Sequence, residues 1–195
     1  MTPEVSISRS QRAIPGEEIV RMLFLSLALA LSLTPGHAAE PVKLAFVDTG
    51  NTGRSVTAEA LADQRIAKEH LPIAVISRAL DQDPYAVKPE ANAAALLKER
   101  GIDVAAHRAT QITANDVRHS DLILTMTAAH RDKLIALFPE AKDKTFTIAE
   151  YALGKPDDVA DAFGKPMDFY RGMVRQVESY LGPLLTKAIA IQKRD

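Results

Sequence analysis

At 195 residues, 47% of them apolar and 25% charged, the chain has the bulk of one globular domain plus a terminal extension. Its formal net charge of -1 supplies no basic field for nucleic acid or an anionic membrane. Cysteine is absent, which excludes disulfides, thiolate metal sites and any thiol nucleophile. The histidines, His37, His70, His107, His119 and His130, are dispersed without metal-ligand spacing, and a site of carboxylates alone would leave little trace in sequence.

Residues Met22 to Leu33 read MLFLSLALALSL, an apolar run too short for a membrane span, which takes ~20 residues. Arg9, Arg12 and Arg21 precede it, and Pro35, Gly36, His37, Ala38 and Ala39 follow. A basic flank, a short apolar stretch and small residues after a helix breaker are the marks of a secretory signal with cleavage near Ala38. The competing reading is a buried N-terminal helix. Glu17 and Glu18 lie ahead of the run, so the start is Met1 or Met22. The expected organisation is an extension over 1–39 and one domain over 40–195, periplasmic or secreted, with no membrane span after processing.

From Val42 the pattern alternates short apolar runs with longer amphipathic ones. Lys43–Val47 reads as a buried strand, Ser55–Glu69 as a helix and Ile73–Ser77 as a second strand. Pro89–Arg100 is a helix stopped by Gly101, and Asp121–Met126 is a third strand followed by a helix over Ala128–Phe138. Thr145–Ala149 reads as a fourth strand. A last helix from about Pro166 carries a stripe of Tyr170, Val174, Val177, Leu181 and Leu184, with Pro183 expected to kink or split it. Strands alternating with helices predict a small doubly wound α/β domain, a four-stranded parallel sheet covered on both faces. Ligands of such sheets bind at the carboxyl ends of the strands.

The loop after the first strand, VDTGNTGRS (Val47–Ser55), is therefore the candidate site. Its glycines, Gly50 and Gly53, let backbone N–H groups turn inward, and the following helix adds the positive end of its dipole. Arg54 adds a planar fork matched to phosphate oxygens. The loop lacks the G-K-[ST] of a nucleotide P-loop and the G-x-G-x-x-G of a dinucleotide fold.

Strand, loop and helix together resemble the low-molecular-weight protein tyrosine phosphatases, whose Cys-x5-Arg loop has the form C-x-G-N-x-C-R-S. LLKERGIDVAAHRATQIT (Leu96–Thr113), HSDLILTMTAAHRDKL (His119–Leu134) and DAFGKPMDFYRG (Asp161–Gly172) continue the resemblance in order. The resemblance implies a flavodoxin-like fold and a phosphate cradle formed by Thr49, Gly50, Asn51, Thr52, Gly53, Arg54 and Ser55. Arg54 would brace two phosphoryl oxygens, Asn51 would hold the loop's shape, and His107 would support it. Ser55 would donate to the group at position 48. Asp161 would protonate the leaving oxygen, and Phe163 would flank an aromatic substrate ring. Read alone, His107 is equally a structural histidine and Asp161 a helix N-terminal carboxylate. No cofactor or metal is expected.

The departures matter most. Asp48 stands where the family has its nucleophilic cysteine, Gly53 replaces the second loop cysteine, Val56 and Ala162 replace prolines, and a thiol-based arsenate reductase is closed off. A carboxylate is a weaker nucleophile than a thiolate and usually acts with a metal ion. It also reaches one bond farther into the cradle and competes for the same N–H groups. Two readings follow. One is a pseudo-phosphatase that binds a phosphorylated protein, a phosphomonoester or an inorganic oxyanion. The other is a working phosphomonoesterase with Asp48 as nucleophile or water-positioner and Asp161 as general acid.

Overall fold

The structure, a computed structural model, describes residues 40–192. The signal-peptide, cleavage-site and start-codon expectations lie outside those residues. Strands β1 (Val42–Asp48), β2 (Ile73–Ala79), β3 (Leu122–Thr125) and β4 (Thr145–Thr147) pair in parallel in the order β2-β1-β3-β4. The helices are α1 (Arg54–Glu69), α2 (Ala91–Glu99), α3 (Ala114–His119), α4 (Ala128–Leu137), α5 (Ile148–Leu153) and α6 (Met167–Gln192). This is the doubly wound α/β arrangement that the alternation predicts. Among the described residues no helix is long and apolar enough to cross a membrane.

The period-2 geometry of β1 divides the core. Val42, Leu44 and Phe46 pack with α1, α2, α5 and α6, whereas Ala45 and Val47 join Val117 of α3 and Leu134 of α4 on the other face. Phe46 and Leu44 are at most 1% exposed, and each such side chain contributes about 1.5–3 kcal/mol by leaving water. Asp48 shares the parity of Leu44 and Phe46, so it points into the α1 layer at the strand's carboxyl end. The chain leaves β1 toward β2 and later returns to β3 on the opposite side. The loop after β1 therefore sits at the reversal of strand order, the expected ligand position.

Several boundaries differ from the sequence pattern. The fourth strand stops at Thr147 because the Thr147 hydroxyl and Glu150 close a capping box that starts α5. A second capping box, Thr113 with Asp116, starts α3, and a 3-10 turn occupies Pro139–Lys144. The second helix begins at Ala91, not Pro89. Pro183 does not split the last helix, which stays continuous because Leu181, Leu184, Leu185 and Ala188 are all buried around it.

Candidate active site

Asp48 ends β1 at 3% exposure, and its two oxygens are both engaged. Oδ1 accepts the Asn51 N–H at 2.6 Å, and Oδ2 accepts the Ser55 N–H at 2.8 Å. Ser55 is in the first turn of α1, whose N-cap, Gly53, makes no side-chain cap bond. Asp48 thus caps the helix from the strand, with its negative charge at the positive end of the dipole. The Ser55 hydroxyl does not donate to position 48, as the resemblance implies; it accepts from Asn51 Nδ2 at 3.0 Å, and Ser55 reaches Asp48 through its backbone. Among the described residues no hydrogen bond takes the amides of Gly50, Thr52, Gly53 or Arg54.

Asn51 holds the loop. Its backbone is left-handed (φ 56°), a conformation that asparagine tolerates better than most residues, and it is fully buried. Nδ2 donates to Ser55 Oγ and to Ser77 Oγ at 2.7 Å, and Oδ1 accepts the Thr110 N–H at 3.0 Å. His107 Nε2 is 3.0 Å from the Asn51 carbonyl, which takes the ring's proton on that nitrogen. Nδ1 of the same ring lies 3.9 Å from Glu59 Oε2, and Glu59 also accepts from Ser77. His107 thus touches the loop through the Asn51 carbonyl.

The Arg54 side chain is 11% exposed and reaches the Asp161 segment, with Nη1 3.5 Å from the Val159 carbonyl and Nη2 3.2 Å from Asp161 Oδ2. Asp161 is more than half exposed, and its Oδ1 accepts the Phe163 N–H at 3.1 Å. Phe163, 71% exposed, stands at the rim. A cavity of about 290 Å³ opens over the loop, lined by Asp48, Thr49, Gly50, Thr52, Gly53, Arg54, Asp81, Asp83, Ala86, Glu90, Asp161 and Phe163. Every predicted loop residue except buried Asn51 and Ser55 reaches this lining. A larger cavity of about 420 Å³ is lined by Glu59 and His107 and by neither Arg54 nor Asp161.

Three residues of the site escape a reading of the sequence. Glu90 rests over Gly53: a Cβ built there would lie 2.4 Å from Glu90 Oε1. Glu90 accepts from Tyr170 Oη at 2.5 Å and from Thr52 Oγ1 at 3.3 Å. Burial, together with the charges of Asp161 and Asp48, raises its pKa above the ordinary glutamate value despite those donors. Burial and the bond to Glu90 push Tyr170 up to about 12. His130, in the first turn of α4, lies with Nε2 2.8 Å from Thr49 Oγ1. Burial and the Arg54 guanidinium lower its pKa, so the ring is neutral at pH 7. No local pattern announces these contacts, because Glu90 and Tyr170 are 80 residues apart and Thr49 and His130 are 81 apart. Among the described residues no group of histidines and carboxylates could hold a metal ion.

The chain has relatives among known proteins. Residues 43–194 match the family described as low molecular weight phosphotyrosine protein phosphatase. A protein-arginine-phosphatase of Geobacillus stearothermophilus is 36% identical over 147 residues, covering 75% of this chain and 96% of its own. The low molecular weight protein-tyrosine-phosphatase PtpB of Staphylococcus haemolyticus is 31% identical over 148 residues, 75% of this chain and all (100%) of its own. Among solved structures, a mutant of the arginine phosphatase YwlE with a phosphorylated active-site serine superposes with TM-score 0.72 at 33% identity, covering 75% of this chain and 95% of that one. The chain belongs to the low molecular weight phosphotyrosine protein phosphatase family.

Proposed function

We propose that this protein binds phosphorylated protein side chains, phosphoarginine in particular, and turns them over far more slowly than a cysteine phosphatase. The observation that carries this reading is the seating of Asp48: both oxygens are tied to loop amides, which lowers their availability for attack. The amides left open and Arg54 still suit a phosphoryl group. The cavity walls argue for a ligand with a cationic part. Asp48, Asp81, Asp83, Glu90 and Asp161 line it against a single guanidinium, that of Arg54. A phosphorylated guanidinium carries both charges, and relatives of this chain are named protein-arginine-phosphatase. An exported mature chain starting near Glu40 is part of the same proposal; a mature N-terminus at Met1 or Met22 in protein from the native host would count against it.

Calorimetric titration with phosphoarginine, alongside hydrolysis assays on phosphoarginine and p-nitrophenyl phosphate, tests the reading. Saturable binding with negligible hydrolysis is expected. Hydrolysis that disappears in Asp48→Asn would replace it with the second reading.

That second reading has a specific observation in its favour. The YwlE mutant carries phosphate on an oxygen nucleophile in the same family. Here an Asp48 oxygen would attack phosphorus, the leaving group would take its proton from Asp161, and water would then cleave the aspartyl phosphate. Hydroxylamine trapping of an acyl phosphate at Asp48 is the signature that separates this enzyme from a binding module.

A further inference from the structure

Gly53 and Glu90 form a matched pair. Gly53 has φ -122°, outside the left-handed region, so what bars a side chain there is the Glu90 carboxylate. Glu90 is held at three points. Its backbone N–H donates to the Thr52 carbonyl at 2.9 Å, the Tyr170 hydroxyl holds Oε2, and the Thr52 hydroxyl reaches Oε1. Tyr170 itself is 4% exposed in the core-facing side of α6, so the carboxylate has a rigid support. Glu90 is the N-cap residue of α2, yet its side chain makes no capping bond there. Helix capping therefore does not account for the side chain's position.

Electrically the group is uncompensated. Among the described residues Glu90 forms no ion pair with a lysine, arginine or histidine, and its charged neighbours Asp48 and Asp161 are of like sign. It lines the same cavity as Arg54 and the open amides. A carboxylate in this position repels a bare phosphate and attracts a cation attached to one.

We infer that Glu90, seated in the space Gly53 leaves free, is the specificity-determining residue that receives the guanidinium of a phosphoarginine side chain. The inference rests on the phosphoryl-binding reading of the loop given above. Carboxylate and guanidinium meet as planar forks, so the contact adds direction as well as charge. Phosphotyrosine offers Glu90 no cation, and inorganic phosphate offers it only repulsion. The same side chain thus raises affinity for one ligand and lowers it for the others.

That opposition of sign is the test. Glu90→Gln keeps the shape and an acceptor for Tyr170 while removing the charge. Titrating parent and variant with phosphoarginine, phosphotyrosine and inorganic phosphate should show phosphoarginine weakened by roughly tenfold. Phosphate and phosphotyrosine should be unchanged or tighter. Tyr170→Phe, which frees the carboxylate but keeps its charge, should weaken phosphoarginine by a smaller factor and leave inorganic phosphate within about twofold. A uniform change in affinity for all three ligands in Glu90→Gln would overturn the inference while leaving the loop's anion binding intact. Failure of the parent protein to bind any of the three would instead overturn the reading of the loop, and this inference with it.

Discussion

The loop after β1 and the segment that carries Asp161 meet at Arg54, yet they are held in different ways. The loop is buried and cross-tied: Asp48, Asn51 and Ser55 are each at most 3% exposed, and their bonds run to β2, to Thr110 and to one another. The Asp161 segment is pinned at two buried residues, Val159 and Ala162, with the exposed carboxylate between them. Val159 N–H donates to the Met126 carbonyl at 2.8 Å, and Gln176 bonds the backbone at Asp158 and Ala160. The loop is thus a product of the sheet, and the arm that carries Asp161 is tethered from outside. Changes in the first are expected to cost stability, and changes in the second to alter chemistry alone.

The largest effect should come from Asp48→Cys. It replaces a hydrogen-bonded carboxylate by a thiolate in an otherwise intact loop, and hydrolysis of p-nitrophenyl phosphate should rise by about 100-fold or more. No gain would mean that the arm, not the nucleophile, is what fails. Asn51→Ala removes the amide that donates to the Ser77 hydroxyl, leaves the Thr110 N–H without its acceptor and puts alanine at positive φ. A loss of about 2–4 kcal/mol in chemical denaturation is expected.

Gly53→Ala places a methyl against the Glu90 carboxylate, which must leave Tyr170 or Thr52 to make room. A cost of about 1–3 kcal/mol is expected, and a smaller one in the Glu90→Ala background. Glu90 also gives stability a pH dependence of definite sign. Its folded pKa is raised, so the folded state holds the proton more tightly than the unfolded state. That contribution is fully present below the unfolded glutamate pKa and is lost as pH rises through the folded one. Tyr170 and Thr52 face the carboxyl as donors, and Asp161 and Asp48 as like charges. Melting temperatures of Glu90→Gln should therefore gain on the parent as pH rises past the ordinary glutamate range. The smallest change belongs to Asp161→Asn. Its pair with Arg54 is largely in solvent on the aspartate side, so stability should move by less than ~1 kcal/mol. A larger loss would show that the arm helps to hold the cradle.

Sequence pattern conveyed the sheet and the loop because both are local: apolar runs mark β1 to β3, and glycine, asparagine and arginine mark the turn. The helices it missed, α3 and α5, are six residues each, too short for a 3.6-residue period to register. Their starts were nevertheless written as Thr113 with Asp116 and Thr147 with Glu150, the capping-box spacing. Competition of the position-48 carboxylate for loop amides was legible from bond lengths alone. Glu90, Tyr170 and His130 were not, since their roles arise from contacts between elements far apart in the chain.

Asn51 joins segments separated from it by 4, 26 and 59 residues. Such a knot cannot be tied until α1, β2 and the strand's distant neighbour at Thr110 have all docked. Anion affinity should consequently vanish together with global structure, leaving no binding-competent fragment or partly melted intermediate. By linkage, any ligand of the loop then raises the temperature of the whole cooperative transition, so a thermal-shift screen reads occupancy of this one loop.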